Sequence, residues 1–335
     1  MAQLRSPPLF CTTEISSEMR KKQKQEDEQE QQPWGSLPEG PLFEILSRVP
    51  YMSLCRFKCA SKPWLALCSD PDIRKRSPQT LSGFIHLSTN GLQFRNLSGR
   101  GPPMFDPYLP FLCKSYINVI PKHYCGGLVL CRCWKSCHSK INEYNLVVCN
   151  PATEKWIELP HCTIDWPNAP EEYLGFDPAV PSRFVVFAMN LWEFIEVMIY
   201  SSDTGRWTTL QSGWIDGPFP VGHLDCVFLN GTMHLMTTEP SVATVDTEGK
   251  VWKEIDFPSN VPENYDTSSI GQSQGCLYAW YIDTNNVCQL SVWALDDYGT
   301  AKWILKHTVN ILELFGMAFL RRRRVIYYCC NSSRS

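Results

Sequence analysis

The chain of 335 residues contains no stretch approaching the ~20 uninterrupted apolar residues of a membrane-crossing helix, so a helical membrane protein is not expected. Met1 to Arg20 lack the apolar centre of a signal peptide, and the expectation is a protein that is not exported. Charge is scarce as well: 19% of residues are charged, the net charge is −3 and the pI is about 6.2. No basic field draws such a chain to nucleic acid or to an anionic bilayer, and neither is expected as a partner. The sequence also lacks H-E-x-x-H, G-x-S-x-G, the phosphate-binding G-x-x-x-x-G-K-[ST] and the dinucleotide G-x-G-x-x-G. The acidic pairs Glu171-Glu172 and Asp296-Asp297 read as loop residues, and adjacent carboxylates do not supply the opposed pair, ~5–10 Å apart, that glycoside hydrolysis uses. The expectation is no catalytic residue, no metal and no cofactor.

Cysteine is not lacking. Sixteen are present, which in a small secreted chain would read as a disulfide framework. In a long chain without an export signal, reduced and mostly buried thiols are the better reading, with the protein in the cytoplasm, the nucleus or both. Cys131, Cys133, Cys137 and His138, with His123 and Cys125 upstream, form the one metal-like cluster, C-x-C-x-x-x-C-H. It supplies four ligands for zinc but lacks the paired C-x-x-C knuckle, which favours ordinary thiols in a hairpin. Arg321 to Arg324 reads as a solvated turn, or alternatively as a nuclear-import or phosphate patch.

Residues 20–32, RKKQKQEDEQEQQ, hold four positive and four negative charges and no apolar side chain, so residues 1–33 read as a disordered leader. From Trp34 the texture changes. Ser36-Leu37-Pro38-Glu39 has the form of a helix capping box, with Pro38 in the first turn. Leu42, Ile45, Leu46 and Val49 follow at i, i+3, i+4 and i+7. Pro50 ends that helix. A second, over about 52–60, places Leu54 and Phe57 on one face. Ser61 caps a third, with Pro63 in its first turn and Trp64, Leu67 and Cys68 inward, and Asp70-Pro71 stops it. Three helices in about 40 residues make a poor core, and domains so small usually lean on a disulfide, a metal or a partner. A partner is the remaining option here.

After residue 80 short apolar runs alternate with Gly, Pro, Asn and Asp, as the 12 Trp and 25 Pro foreshadow. A strand-like run, a polar turn and a Trp recur in VVCNPATEKW, MIYSSDTGRW, ATVDTEGKVW and WALDDYGTAKW, placing Trp156, Trp207, Trp252 and Trp303 about 50 residues apart. Each unit also has an upstream run with a Gly at or near its start (Gly127, Gly175, Gly231, Gly275). A period near 50 with several strands per unit is that of a kelch-like propeller blade, with each Trp packed between neighbouring sheets as blade core. The rival is a β-sandwich with accidental Trp spacing. Residues 81–120 read as a further, degenerate blade, and the tail from Gly316 as one last strand, giving about five blades in all, with an incomplete last blade as one expectation.

The run SLPEGPLFEILSRVPYMSLCRFKCASKPWLALCSDPDI, residues 36–73, resembles an F-box, and NPATEKWIELP with GLVLC before it and LGFDP after it resembles the F-box-associated, kelch-like domain of plant F-box proteins. The fold class implied is α+β multidomain: a leader over 1–33, a short three-helix F-box over 34–76, an all-β kelch-like propeller over 77–328 and a tail over 329–335. The resemblance implies a non-catalytic receptor subunit of a cullin–RING ubiquitin ligase. The helices would dock a Skp-type adaptor and the β domain would bind the protein to be ubiquitinated, whose identity the sequence does not reveal. Carried over by position, Leu37, Pro38, Ile45, Leu46, Leu54 and Trp64 would contact the adaptor, with Leu42, Val49 and Phe57 in support. Gly40-Pro41 and Ala60 depart from the usual pattern. A propeller enzyme and a scaffold without ubiquitin machinery are the competing readings. Aromatic-bearing connections with Trp166, Tyr173, Trp192, Trp214, Phe219 and Tyr281 are candidates for substrate contact and equally for inter-blade core.

Overall fold

A computed structural model of the chain describes residues 38–49, 51–77, 83–88, 91–97, most of 103–313 and 326–329; the leader, the capping box at Ser36 and Arg321 to Arg324 lie outside the described residues. Among these residues no helix is long and apolar enough to cross a membrane.

The first unit is helical. Helix α1 spans Glu39–Ser47, α2 Tyr51–Phe57, α3 Lys62–Leu67 and α4 Pro71–Arg76. α1 begins at Glu39, with Pro38 at the N-cap position and no side-chain cap. Gly40 and Pro41 sit in its first turn, where a missing N–H leaves nothing unsatisfied. The Ser61 cap is formed, its hydroxyl accepting from the Trp64 amide. The fourth helix corrects the sequence reading. Asp70-Pro71 ends α3 and at once starts α4, with the Asp70 carboxylate accepting from the Asp72 amide at 2.8 Å and the Ile73 amide at 3.3 Å. Leu42, Leu46, Leu54, Cys68 and Ile73 form one buried cluster, flanked by Phe43, Val49, Trp64 and Leu67.

The described strands beyond it all pair antiparallel. β1 (Gly83–Ser88) and β2 (Gly91–Asn96) form a hairpin. Four four-stranded meanders follow: β3 (Asn118–Cys125), β4 (Leu128–Trp134), β5 (Asn145–Asn150), β6 (Lys155–Glu158); β7 (Glu171–Phe176), β8 (Phe184–Met189), β9 (Glu196–Ser201), β10 (Arg206–Gln211); β11 (Cys226–Leu229), β12 (Thr232–Met236), β13 (Ser241–Asp246), β14 (Trp252–Asp256); and β15 (Ser268–Ser273), β16 (Cys276–Asp283), β17 (Gln289–Asp297), β18 (Lys302–Asn310). The first strands β3, β7, β11 and β15 neighbour one another in turn, so each sheet is a blade whose first strand faces the centre of a propeller. The last strand, β19 (Ile326–Cys329), pairs antiparallel with β1 and lies beside β3. Among the described residues the sheet that joins the two ends of the domain has three strands, one of them from the tail, while β15–β18 has four.

The local chemistry explains the meanders. The β11–β12 hairpin turns on Asn230-Gly231, with both residues at positive φ, the pairing that right-twisted strands prefer. The Gly upstream of each Trp is such a turn residue in three blades, but Gly175 lies inside β7, where a Cβ would stand 2.7 Å from the Phe228 ring of β11. The recurrent polar turns all join a third strand to a fourth, and the four Trp all stand at the start of the fourth strand, opposite Cys149, Tyr200, Val245 and Leu295.

Candidate protein-interaction site

The stripe on α1 divides in two. Leu42 and Leu46 are 6% and 2% exposed, whereas Ile45, between them in sequence, is 52% exposed. At 100° per residue the stripe is wider than the cleft it fills, so one column of it stays in water. The same division runs through the unit. Leu54 is buried, but Phe57 at the end of α2 and Leu65 on α3 are 39% and 49% exposed. Phe57 leans on the half-buried Trp64, ring centroids 5.6 Å apart. Leu42, Leu46 and Leu54 thus belong to the unit's own core. Ile45, Phe57 and the edge of Trp64 remain available, Val49 is half-buried, Pro38 is exposed, and Leu37 lies outside the described residues. Leu65 is the exposed side chain that the motif carried over from sequence did not include. The rim is charged: Arg48 donates to Glu44 at 2.6 Å, and the Arg76 guanidinium lies 5.6 Å from the Phe43 ring centroid.

Two of the four repeated Trp side chains bond from blade to blade. The Trp207 indole N–H donates to the Pro160 carbonyl of the preceding blade at 2.8 Å, and Trp303 donates likewise to Asp256 at 2.7 Å. Trp252 donates to Gly249 in its own turn, and Trp207 and Trp252 pack against the main core cluster. Trp156 departs from the expected core role. It is 41% exposed and meets the ring of Tyr116 edge-on at 5.8 Å, because the segment before β3 supplies Tyr116 where the other blades have a full neighbouring sheet. With Ile157, Ile117 and Ile120 it leaves blade β3–β6 the most apolar exterior among the described residues.

Charge is also buried between blades, which the sequence reading missed by taking Glu171-Glu172 for loop. Both begin β7, and Asp296-Asp297 end β17. Glu172, fully buried, accepts from both the Nε and Nη2 of Arg132 on β4 and from the Tyr144 hydroxyl, while the guanidinium lies 4.6 Å from the Tyr144 ring centroid. Burial lifts the Glu172 carboxyl above the usual carboxylate range, against the opposing pull of Arg132. A pair so enclosed links β4 to β7. The cysteines expected to be metal-like are dispersed. Cys131 and Cys133 point into a core cluster with Cys149, Cys125 belongs to another, Cys137 is exposed, and His138 lies outside the described residues. Of the aromatic candidates for substrate contact, Tyr173 and Tyr281 are buried, Trp214 is half-buried, Phe219 is 52% exposed, and Trp166 and Trp192 lie outside the described residues.

A small helical unit with apolar side chains left in solvent, joined to a β-propeller, is the layout of an F-box protein. Residues 34–76 match the F-box domain model, and residues 107–320, more than half of the chain, match the model described as F-box protein At3g26010-like, beta-propeller; the chain belongs to that family. It is similar to the F-box protein At5g07610 of Arabidopsis thaliana, at 26% identity over 86% of this chain and 73% of that protein. It is also similar to the putative F-box protein At3g10430, at 28% over 59% and 55%, and to the F-box protein At5g49610, at 22% over 84% and 80%, both of the same plant. A solved structure titled "YCF48 bound to D1 peptide" overlays at a TM-score of 0.33 and 9% identity, covering 70% of this chain and 69% of that one, too low a likeness to bear on fold or function.

Proposed function

We propose that the chain is the substrate-recognition subunit of an SCF-type (Skp–cullin–F-box) ubiquitin ligase. Its helical unit docks a Skp-type adaptor, and its propeller holds the protein to be ubiquitinated. The observation that carries this reading is the exposure of three large apolar side chains, Ile45, Phe57 and Leu65, on a unit whose own core is already filled by Leu42, Leu46, Leu54, Cys68 and Ile73. Large apolar side chains left out of a core are the anchors around which protein interfaces form. Such a receptor performs no bond chemistry; it raises the effective concentration of substrate lysines near the loaded conjugating enzyme, in cytoplasm or nucleus. Membership of an F-box propeller family supports the same assignment.

The test is capture of a Skp-type adaptor by the full chain. The double variant Ile45→Asp, Phe57→Asp is expected to lose capture at least tenfold while its helical circular dichroism and melting are unchanged. Undiminished capture by that folded variant would overturn the assignment of the docking face.

A further inference from the structure

The centre of the propeller contains a thiol–imidazole pair that the receptor function does not use. His123 on β3, Leu174 on β7 and Cys226 on β11 come from the first strands of three successive blades. The Leu174 amide N–H donates to His123 Nδ1 at 2.9 Å, and His123 Nε2 lies 3.0 Å from Cys226 Sγ. The backbone contact decides the tautomer. A nitrogen that accepts from an N–H bears no proton, so the hydrogen of the neutral ring sits on Nε2 and points at the sulfur. The imidazole is then a donor to Cys226, and a fixed N–H donor favours thiolate over thiol. The Tyr173 ring meets the imidazole edge-on at 6.1 Å, and β7 and β11 approach so closely that a Cβ at Gly175 would stand 2.7 Å from the Phe228 ring.

Exposure separates this sulfur from the others. Cys131, Cys133 and Cys149 are buried in a core cluster, and burial pushes the Cys133 thiol up to about 12. Cys59, Cys113, Cys137 and Cys276 are exposed. Cys226 is half-buried, packed against the main core cluster and in contact with His123. We infer that Cys226 is a covalent modification site of the propeller centre, with His123 as its positioning residue, and that it takes small, uncharged, soft electrophiles of the α,β-unsaturated carbonyl class. The thiol proton leaves to water, since Nε2 already carries its hydrogen. The sulfur lone pair forms a bond to the β-carbon, the carbon–carbon π pair moves to the enolate, and the enolate takes a proton from water. No oxidant enters.

The experiment uses the full chain and N-ethylmaleimide at limiting concentration, with the rate at each cysteine read by mass spectrometry between pH 5.5 and 8.5. Cys226 is expected to react at least about tenfold faster than Cys59 at pH 6.5, with a flatter pH profile, and His123→Ala is expected to bring its rate and profile to those of Cys59. Should His123→Ala fail to fold, thiolate absorbance near 240 nm at pH 6.5, compared between the native chain and Cys226→Ser, gives the same information: a difference of one thiolate supports the assignment and equal absorbance overturns it. A Cys226 rate no higher than that of Cys59, or a pH profile unmoved by a folded His123→Ala chain, also overturns it.

Discussion

The helical unit and the propeller handle apolar side chains in opposite ways. Among the described residues the helical cluster buries five side chains, while the largest propeller cluster buries eighteen and a charged pair besides. The smaller unit nevertheless leaves Ile45, Phe57 and Leu65 about half in water, where each forgoes roughly 1 kcal/mol of burial. Stability alone does not account for that surface. In the propeller the reverse holds: two of the four-stranded sheets are tied to the preceding one by indole-to-carbonyl bonds, and its unusual feature is polar and inside. A module selected to bind shows in what it keeps out of its core, and one selected as a rigid platform shows in what it can enclose.

The contrast breaks most violently at the enclosed charge. Glu172→Ala leaves the Arg132 guanidinium, with 13% of its side chain exposed, without its counter-charge, and is expected to cost about 3–5 kcal/mol by denaturant unfolding of the propeller. Helical signal and adaptor capture at low temperature should persist. A cost below about 1 kcal/mol would show that the pair does not tie β4 to β7.

Next comes Leu46→Ala, expected to cost about 2–5 kcal/mol, confined to the helical unit. Hydrogen exchange should rise across residues 39–76 and stay unchanged in β3–β18. Adaptor capture would fall too, but through loss of the fold, which is what distinguishes Leu46 from Ile45.

These two variants also mark what the sequence revealed. The stripe Leu42, Ile45, Leu46, Val49 was readable as a stripe, because the 3.6-residue period is local. Which half of it turns inward was not. That is decided by Ile73 on α4, and α4 was hidden because Asp70-Pro71 is at once a stop signal and a cap with a first-turn proline. The Trp repeat was legible for the same local reason, as a turn followed by an outer strand. Trp156 broke the pattern because its surroundings come from Tyr116, far upstream. Pairing of Ile326–Cys329 with β1, Glu172 with Arg132, and His123 with Cys226 are all long-range contacts on which local patterning is silent.

An acid titration sharpens the contrast inside the propeller. His234 on β12 is enclosed, with Nδ1 beside the Val227 carbonyl at 3.2 Å and Nε2 3.3 Å from the Tyr298 hydroxyl of the β17–β18 turn, and burial lowers its pKa to about 4. Below pH 6.5 the unfolded chain takes up a proton that the folded chain refuses until about pH 4. The unfolded state therefore binds more protons throughout that window, and stability falls as pH falls, by about 3 kcal/mol over the whole of it. His234→Gln should remove that slope from urea midpoints of the β signal. An unaltered slope would show that His234 is not the group responsible.

A smaller effect tests the recurrent indole bond. Trp303→Phe keeps most of the ring but loses the donor to Asp256, and is expected to cost about 1 kcal/mol or slightly more. Trp156→Phe, with no inter-blade bond among the described contacts and 41% exposure, should cost less. Equal costs would mean that the outer-strand Trp contributes by area and not by bonding blade to blade.

The smallest expected effect on stability is the one that bears hardest on function. Ile45→Ala removes a side chain half in water from the middle of α1, so little burial is lost, and Ala is the better helix former by a few tenths of a kcal/mol. Its melting temperature is expected to stay level or rise slightly, while adaptor capture falls. Ile45 and Leu46 are neighbours of similar size and polarity, so a conservative reading of the sequence would treat them alike. If Ile45→Ala instead destabilises the helical unit as Leu46→Ala does, the column counted as surface is core, and the distinction between what this unit needs to fold and what it offers to a partner disappears.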